Sequence, residues 1–449
     1  MQSTLHEAGS PDPRDAVLGP PTPTVTFSLN MPEITKTTLP NDLPLYRIPL
    51  PGTRALTILL AFDAGARTES ADENGMAHFL EHLVFKGGQK YATYRDVNEA
   101  AERIGGVLNA YTSHDLVAFH ITARAEQAAK AIDLLTDFVN RPRIDSDELD
   151  RERGVVVQEI ARANDQPAAL AEHLIDEATF GEHPLGRPVL GTVEHIRDTF
   201  TRDAILSFRS RRWAPPDGAA FVAGNLQALP REEELYELFG RLEPRPSPRP
   251  YDPAPPFHER VLVRERDSNQ SHLRLAYRPA VDTSDPRKRA ALQVYSTVLG
   301  GSMGSRLFDE IREQRGLAYS VYSAAHAHSD TPVLALAAGL QSSKCLEALA
   351  RMKEIVTELR EEGPKEAEVQ RARAYAAGAR TIAFENSGAV ARHAAQQTIV
   401  YGEDPNPDTV IKLLDQVTSQ DVRKVAAAIP EKLSLACVGP HTVDELQSV

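Results

Sequence analysis

Residues 74–87 read NGMAHFLEHLVFKG, and within them His78-Phe79-Leu80-Glu81-His82 sets two histidines four positions apart with a glutamate beside the second. On a helix, positions i and i+4 lie one turn apart on the same face, so both imidazoles can reach one ion. Zinc takes such nitrogen donors, and a catalytic zinc keeps one coordination position open for water. Glu81 stands beside them and can take the proton from that water as it attacks a carbonyl. The pattern H-x-x-E-H is the inverted form of a zinc-hydrolase motif. The first expectation is therefore a peptidase-type zinc site, with His78 and His82 as metal ligands and Glu81 as general base.

Such a site needs a third protein ligand. The segment DSDELDRERGVVVQEIARA (145–163) reads as a helix rich in carboxylates. Glu152 and Glu159 are seven residues apart and share a face two turns apart. Spacing alone does not choose among Glu148, Glu152 and Glu159.

Around these motifs the chain repeats itself. The first half runs from a strand (ALTILLAF, 55–62) into the helix with HFLEH, then a helix through Asn98 to Ile104. Strands at VLNAYTSHD and AFHITA and a helix at AAKAIDLLTDFV follow. The second half runs RLAYRPA, a helix ALQVYSTVLGG, RLFDEIREQRG, strands AYSVYSAAH and LALAAGL, then KCLEALARMKEIV. Each half closes on an apolar strand with glycine near its end, AAFVAGN at 219–225 and LACVGP at 435–440. This predicts an α+β fold of two homologous domains from an internal duplication, each a mainly antiparallel sheet packed with helices. The second copy has no histidine or carboxylate at the place of HFLEH. Where the first half has Glu152 to Glu159, the second reads VQRARAYAAGARTIAF, again without a carboxylate. One metal site per chain is the consistent reading.

A length of 449 residues suits two domains of about 200 residues each. Residues 1–33, rich in Pro, Ser and Asp without apolar periodicity, are expected to be a disordered extension. Seven prolines between Arg241 and Pro256 forbid helix and mark a semi-extended linker over 241–256. The metal-binding domain is then 34–240 and its metal-free counterpart 257–449. With 41% hydrophobic and 25% charged residues the composition is that of a globular protein. The net charge of −13 argues against nucleic acid as a partner, because phosphate binding needs a cationic surface. Two cysteines, Cys345 and Cys437, in apolar stretches argue against a disulfide framework and for two buried thiols in a reducing compartment. No apolar run approaches the roughly 20 residues that span a bilayer, and the N-terminus lacks the pattern of a secretory signal. A cytoplasmic location, with no membrane partner, is expected by default.

The motifs, taken together, resemble the pitrilysin/insulysin clan of zinc metallopeptidases (family M16), and especially its two-domain, mitochondrial-processing-peptidase-like branch. The pieces are LPNDLPLYRIPLPG, DAGARTE, NGMAHFLEHLVFKG, GGVLNAYTSHD, ERGVVVQEI, HPLGRPVLGT and SRLFDEIREQRGLAYSVYS, in that order, across residues 38 to about 440. The resemblance implies His78, His82 and Glu159 as zinc ligands, Glu81 as general base, and Glu152 as a carboxylate supporting the metal site from behind. It implies that the strand at Asn109, Ala110 and Thr112 is the edge on which an extended peptide substrate pairs. It also implies that Arg312 binds a substrate carbonyl and Tyr319 donates to the oxyanion formed when water attacks. Larger relatives carry zinc in the first of four such units and the Arg/Tyr pair in the last. A two-unit chain would then complete its site from a partner, as a homodimer enclosing a chamber or a heterodimer with a related subunit. Where the family often has Asn-Gly, this chain has Asn41-Asp42, in a turn far from the chemistry.

Two other readings compete with a zinc endopeptidase acting on peptides or unfolded segments. One is a non-catalytic core or scaffold subunit, against which the intact HFLEH and Glu159 argue. The other is the catalytic subunit of a heteromeric processing peptidase, which the retained Arg312 and Tyr319 weaken. Imidazole and carboxylate ligands would also accept manganese or cobalt.

Overall fold

The apolar run of residues 55–62 alternates between two cores. Leu56, Ile58, Leu60 and Phe62 point into the core of their own half. Leu59 and Ala61 point the other way, into a layer that includes Val390, Ala391, Ala394 and Ala395 from the far end of the chain. A strand buried on both faces reads as a near-continuous apolar run, and here the second face is covered by the other half of the molecule.

The computed structural model describes residues 33–243 and 252–449. The extension expected over 1–33 lies, except for its last residue, outside the described residues, as does the middle of the linker expected over 241–256. The first half contains β1 (Thr35–Thr38), β2 (Pro44–Pro49), β3 (Ala55–Phe62), α1 (Met76–Val84), α2 (Tyr94–Arg103), β4 (Val107–Thr112) and β5 (Val117–Arg124). It continues through α3 (Ala128–Asn140), α4 (Ser146–Asp165), α5 (Pro167–Phe180), α6 (Arg202–Arg212), β6 (Gly218–Gly224) and α7 (Glu232–Phe239). The second half contains β7 (Val261–Glu265), β8 (Gln270–Tyr277), α8 (Pro286–Leu299), β9 (Ala318–Ala327), β10 (Pro332–Gln341) and α9 (Cys345–Glu362). It ends with α10 (Glu366–Ala383), α11 (Ser387–Ala395), α12 (Pro407–Gln416), α13 (Ser419–Ala427), β11 (Ser434–Gly439) and α14 (Val443–Gln447).

Each half forms one sheet. The first has strand order β1-β2-β6-β3-β5-β4 and the second β7-β11-β8-β10-β9. Apart from the added β1 the two orders superpose strand for strand, as the duplicated sequence predicts. Both sheets are antiparallel except for one parallel pair each, β2 with β6 and β7 with β11. Within the RLFDEIREQRG motif, Phe308–Gln314 winds as a π-type helix. The turn at Asn41-Asp42 places Asp42 at φ +67°, the left-handed region that a glycine would occupy freely. Asn41 anchors the turn by donating to the carbonyls of Phe239 and Leu242.

The halves exchange helices. α11, from the second half, lies across β3 and β6 of the first sheet, and Thr57 Oγ1 meets Ser387 Oγ at 2.8 Å. α5, from the first half, lies across the second sheet, where Leu170, Ala171, Leu174 and Ala178 pack on Ala276, Ala436 and Val438. There Arg274 Nε donates to Glu172 Oε1 at 2.6 Å and Ser434 donates to the carbonyl of Ala178. Arg67, fully buried, adds an ion pair of 2.6 Å to Asp330, and His328 pairs with Asp115 at 2.9 Å.

The layer under α11 also holds two buried imidazoles. His120 on β5 is held down to about 4, by burial first and Arg392 second. His393 on α11 is likewise held down to about 4, by burial first and Arg380 second. Both folded values lie below the ordinary 6.5, so the unfolded chain binds more protons in the interval. Stability is then fully present above about pH 6.5 and is lost as pH falls toward 4. The full effect of one such buried imidazole is on the order of 3 kcal/mol. Calorimetry of the chelated protein should show the melting midpoint falling between pH 6.5 and 4.5, and falling less in His393→Gln.

Candidate active site

Helix α1 is apolar on one side, with Met76, Ala77, Phe79, Leu80, Leu83 and Val84 in the first core. That orientation sends His78, Glu81 and His82 toward α4 and β4. Its N-terminus is seated by three of the sequence motifs at once. Glu69 accepts hydrogen bonds from the backbone N–H groups of Gly75 and Ala77, at 2.9 and 2.8 Å. Asn74 donates to the carbonyl of Pro188, and Arg187 reaches the carbonyls of Ser70 and Glu69. Gly75, at φ +94°, lies so close to Gly191 that a Cβ there would be 2.6 Å from the Gly191 Cα. Both glycines are needed where the two loops cross.

Opposite α1, the carboxylates of α4 meet the histidines. His78 Nε2 is 3.8 Å and His82 Nε2 3.4 Å from Glu159 Oε2. One donor atom from each of these three residues lies within 4.8 Å of the others. Glu152, two turns earlier on the same face, is 2.8 Å from His82 Nδ1 through Oε1 and 2.5 Å from Lys86 Nζ through Oε2. Glu148, the remaining candidate, is instead paired with Arg151. Glu81 does not join the cluster of three; its Oε2 accepts a 2.5 Å hydrogen bond from the Thr112 hydroxyl on β4. Asn109, Ala110 and Thr112 lie on β4, the edge of the first sheet, and the Ala110 N–H is met by the Asn109 side chain rather than by a strand.

Protonation follows from these contacts. Burial, helped by the neighbouring His82, holds His78 down to about 3, so its imidazole is neutral. Burial also pulls on His82, but the hydrogen bond and charge of Glu152 outweigh it and raise the group above its ordinary value. Glu152 is held low because hydrogen bonds from His82 and Lys86 overcome its burial. Glu81 is raised by burial, against the opposing Thr112 hydrogen bond.

These residues fit a zinc ion. The donor set is two imidazoles and a carboxylate, and Glu152 beside Nδ1 orients the His82 ring so that Nε2 is the atom that would take the metal. Lys86 was not foreseen from sequence, although its position one turn after His82 was the available signal. Thr112 was foreseen only as part of a strand. Arg312 and Tyr319 stand apart: among the described residues no hydrogen bond, ion pair or ring contact joins either to the histidine cluster. The Arg312 guanidinium lies 4.7 Å from the Phe308 ring and 6.0 Å from the Tyr319 ring. Tyr319 is 88% exposed on β9, the edge of the second sheet. A cavity of about 700 Å³ between the halves, lined by His114, Arg289, His326 and Tyr401 among others, includes none of the cluster.

Comparison with known proteins gives the family. The sequence model for insulinase (peptidase family M16) matches residues 49–193, and that for the peptidase M16 inactive domain matches residues 199–375. The chain belongs to peptidase family M16. It is 32% identical over 416 residues to an uncharacterized zinc protease of Streptomyces coelicolor, covering 91% of this chain and 90% of that protein. It is 29% identical over 391 residues to the uncharacterized zinc protease YmxG of Bacillus subtilis, covering 87% and 94%. The crystal structure of a protease from Helicobacter pylori has the same fold, with TM-score 0.82 at 22% identity over 92% of this chain and all of that one. In this M16 chain His78, Glu81, His82, Glu152 and Glu159 all lie within the first match.

The contact between Glu152 and His82 is testable by metal binding. In Glu152→Ala the His82 ring loses its orienting partner, and zinc affinity should fall about 10–100-fold in a competitive chelator titration.

Proposed function

We propose that this M16 protein is a zinc-dependent endopeptidase that hydrolyses peptides or unfolded segments. One catalytic zinc per chain would be held by His78, His82 and Glu159. The observation that carries the proposal is the convergence of those three donors within 4.8 Å of one another, with Glu81 on the adjacent turn of the same helix. When bound, zinc supplies a Lewis acid that acidifies water and polarises a carbonyl. Glu81 then serves as the base: burial has raised its carboxyl, and Thr112 occupies Oε2 so that Oε1 is left to take the proton and return it to the leaving amine. Thr112 belongs to β4, so the strand proposed to pair with substrate also fixes the base. An extended peptide added to the free edge of β4 would bring its carbonyl past α1, with main-chain hydrogen bonds giving affinity for many sequences.

The tests separate binding from chemistry. Glu81→Gln should retain zinc and lose hydrolysis of a mixed peptide library, since an amide cannot accept the proton. In Glu159→Ala zinc content itself should fall. Full zinc in Glu159→Ala would transfer the ligand role elsewhere.

Arg312 and Tyr319 are proposed to complete the site of a second copy in a homodimer enclosing a chamber. Their exposure in the single chain supports this, because a carbonyl clamp and an oxyanion donor act only against a substrate held by another surface. The arrangement predicts complementation. Glu81→Gln and Tyr319→Phe, each inactive alone, should regain about a quarter of wild-type activity when dissociated and reassociated in equal amounts, since half the dimers are mixed and each holds one intact site. Mixtures that stay inactive, or a fully active monomer by light scattering, would overturn the shared site.

A further inference from the structure

A second convergence of donors lies in the metal-free half, away from α8 and α10, the helices that correspond to the zinc-site helices. Cys345 is the first residue of α9, Cys437 lies in β11, and His441 follows β11 just before α14. Both cysteines are wholly buried at 0% exposure and His441 is 8% exposed. One donor atom from each lies within 4.8 Å of the others, the same limit that encloses His78, His82 and Glu159. The cysteines are not joined in a disulfide. Ser271, from β8, places its Oγ 2.8 Å from His441 Nε2, within hydrogen-bonding reach of the Cys345 thiol. A Cβ on Gly439 would lie 2.5 Å from that oxygen, so the strand end admits the serine only as glycine.

Buried cysteines alone are ordinary small hydrophobes. A core has no such use for an imidazole and a hydroxyl brought to the same point as two thiols. Two sulfurs and a nitrogen, with no carboxylate among them, are a soft donor set that selects zinc over magnesium or calcium. We propose that Cys345, Cys437 and His441 bind a second, structural zinc ion, with Ser271 beside them to offer an oxygen for a fourth position. Binding replaces the two thiol protons, which leave to solvent. The ion would fasten the chain after β11 to the start of α9, closing a loop of more than ninety residues through the second core. The helices equivalent to α1 and α4 in the second half carry no ligands, and this cluster lies outside both of them.

Cobalt distinguishes the two sites, because the histidine–glutamate cluster contains no sulfur. The full chain, stripped of metal and kept reduced, is titrated with Co²⁺ and followed for thiolate-to-metal charge transfer in the near ultraviolet. The expected result is a charge-transfer band that is complete by two equivalents in wild type, saturates at about one equivalent in Glu159→Ala, and disappears in Cys437→Ser and Cys345→Ser. Should either serine variant fail to fold, the wild-type spectrum still decides. Absence of the band from wild type, its persistence in both serine variants, or a Cys345–Cys437 disulfide in protein purified without oxygen would each overturn the proposal.

Discussion

Each sheet in this molecule has two apolar faces, and only one of them is covered by its own half. A strand such as β3, with alternate residues in separate cores, cannot stand with one face in water. The exchange of α11 for α5 solves this for both sheets at once. Neither half can therefore swing away without baring a sheet, so the two sheets are fixed relative to each other by burial rather than by the linker. The buried Arg67 and the His328–Asp115 pair then act within a contact that apolar packing has already made. Leaving the buried Arg67 guanidinium without its carboxylate would cost far more than the pair contributes.

The same rigidity serves the chemistry. A metal site tolerates little misplacement, and α1 is held from three directions: by its apolar face in the core, by Glu69 at its N-terminus, and by the crossing of Gly75 with Gly191. Helix α4 is longer and presents carboxylates two turns apart, which lets a single histidine, His82, touch both. Its Nδ1 faces Glu152 and its Nε2 faces Glu159. One carboxylate orients the ring and the other shares the open side with His78. The roles of two chemically identical glutamates thus follow from which side of one imidazole each reaches.

Much of this was legible in the sequence, for identifiable reasons. The strand over 55–62 is marked by near-continuous apolar character and the helix from 128 by clear periodicity, and both are observed there. The histidine pair was legible because its meaning is local: two positions four apart on one helix. The choice among Glu148, Glu152 and Glu159 was not local, since it depends on where α1 crosses α4. The resemblance to a known family supplied the preference for Glu159, and the geometry now brings that residue to both histidines. The exchange of α5 and α11 left no local trace. An amphipathic pattern shows that a helix buries a face, not which sheet receives it. The convergence of Cys345 with Cys437 and His441 was hidden for the same reason, and the cysteines read from sequence as two ordinary buried thiols.

Duplication also frames the two sheet edges. β4 and β9 occupy the same place in their sheets, each last in strand order, and both face outward with no strand beyond them among the described residues. Natural sheets blunt such edges unless a partner is to use them. Here the two edges have diverged in opposite directions. β4 keeps a threonine against Glu81, while β9 carries Tyr319 in the open beside Arg312. The helix exchange holds the two edges in one rigid body, so they cannot fold onto each other. In the proposed homodimer a two-fold axis would set each β4 against the other copy's β9, with each Glu81 facing the other copy's Tyr319. On the proposed function, that is the geometry in which a chain of two units does the work of four.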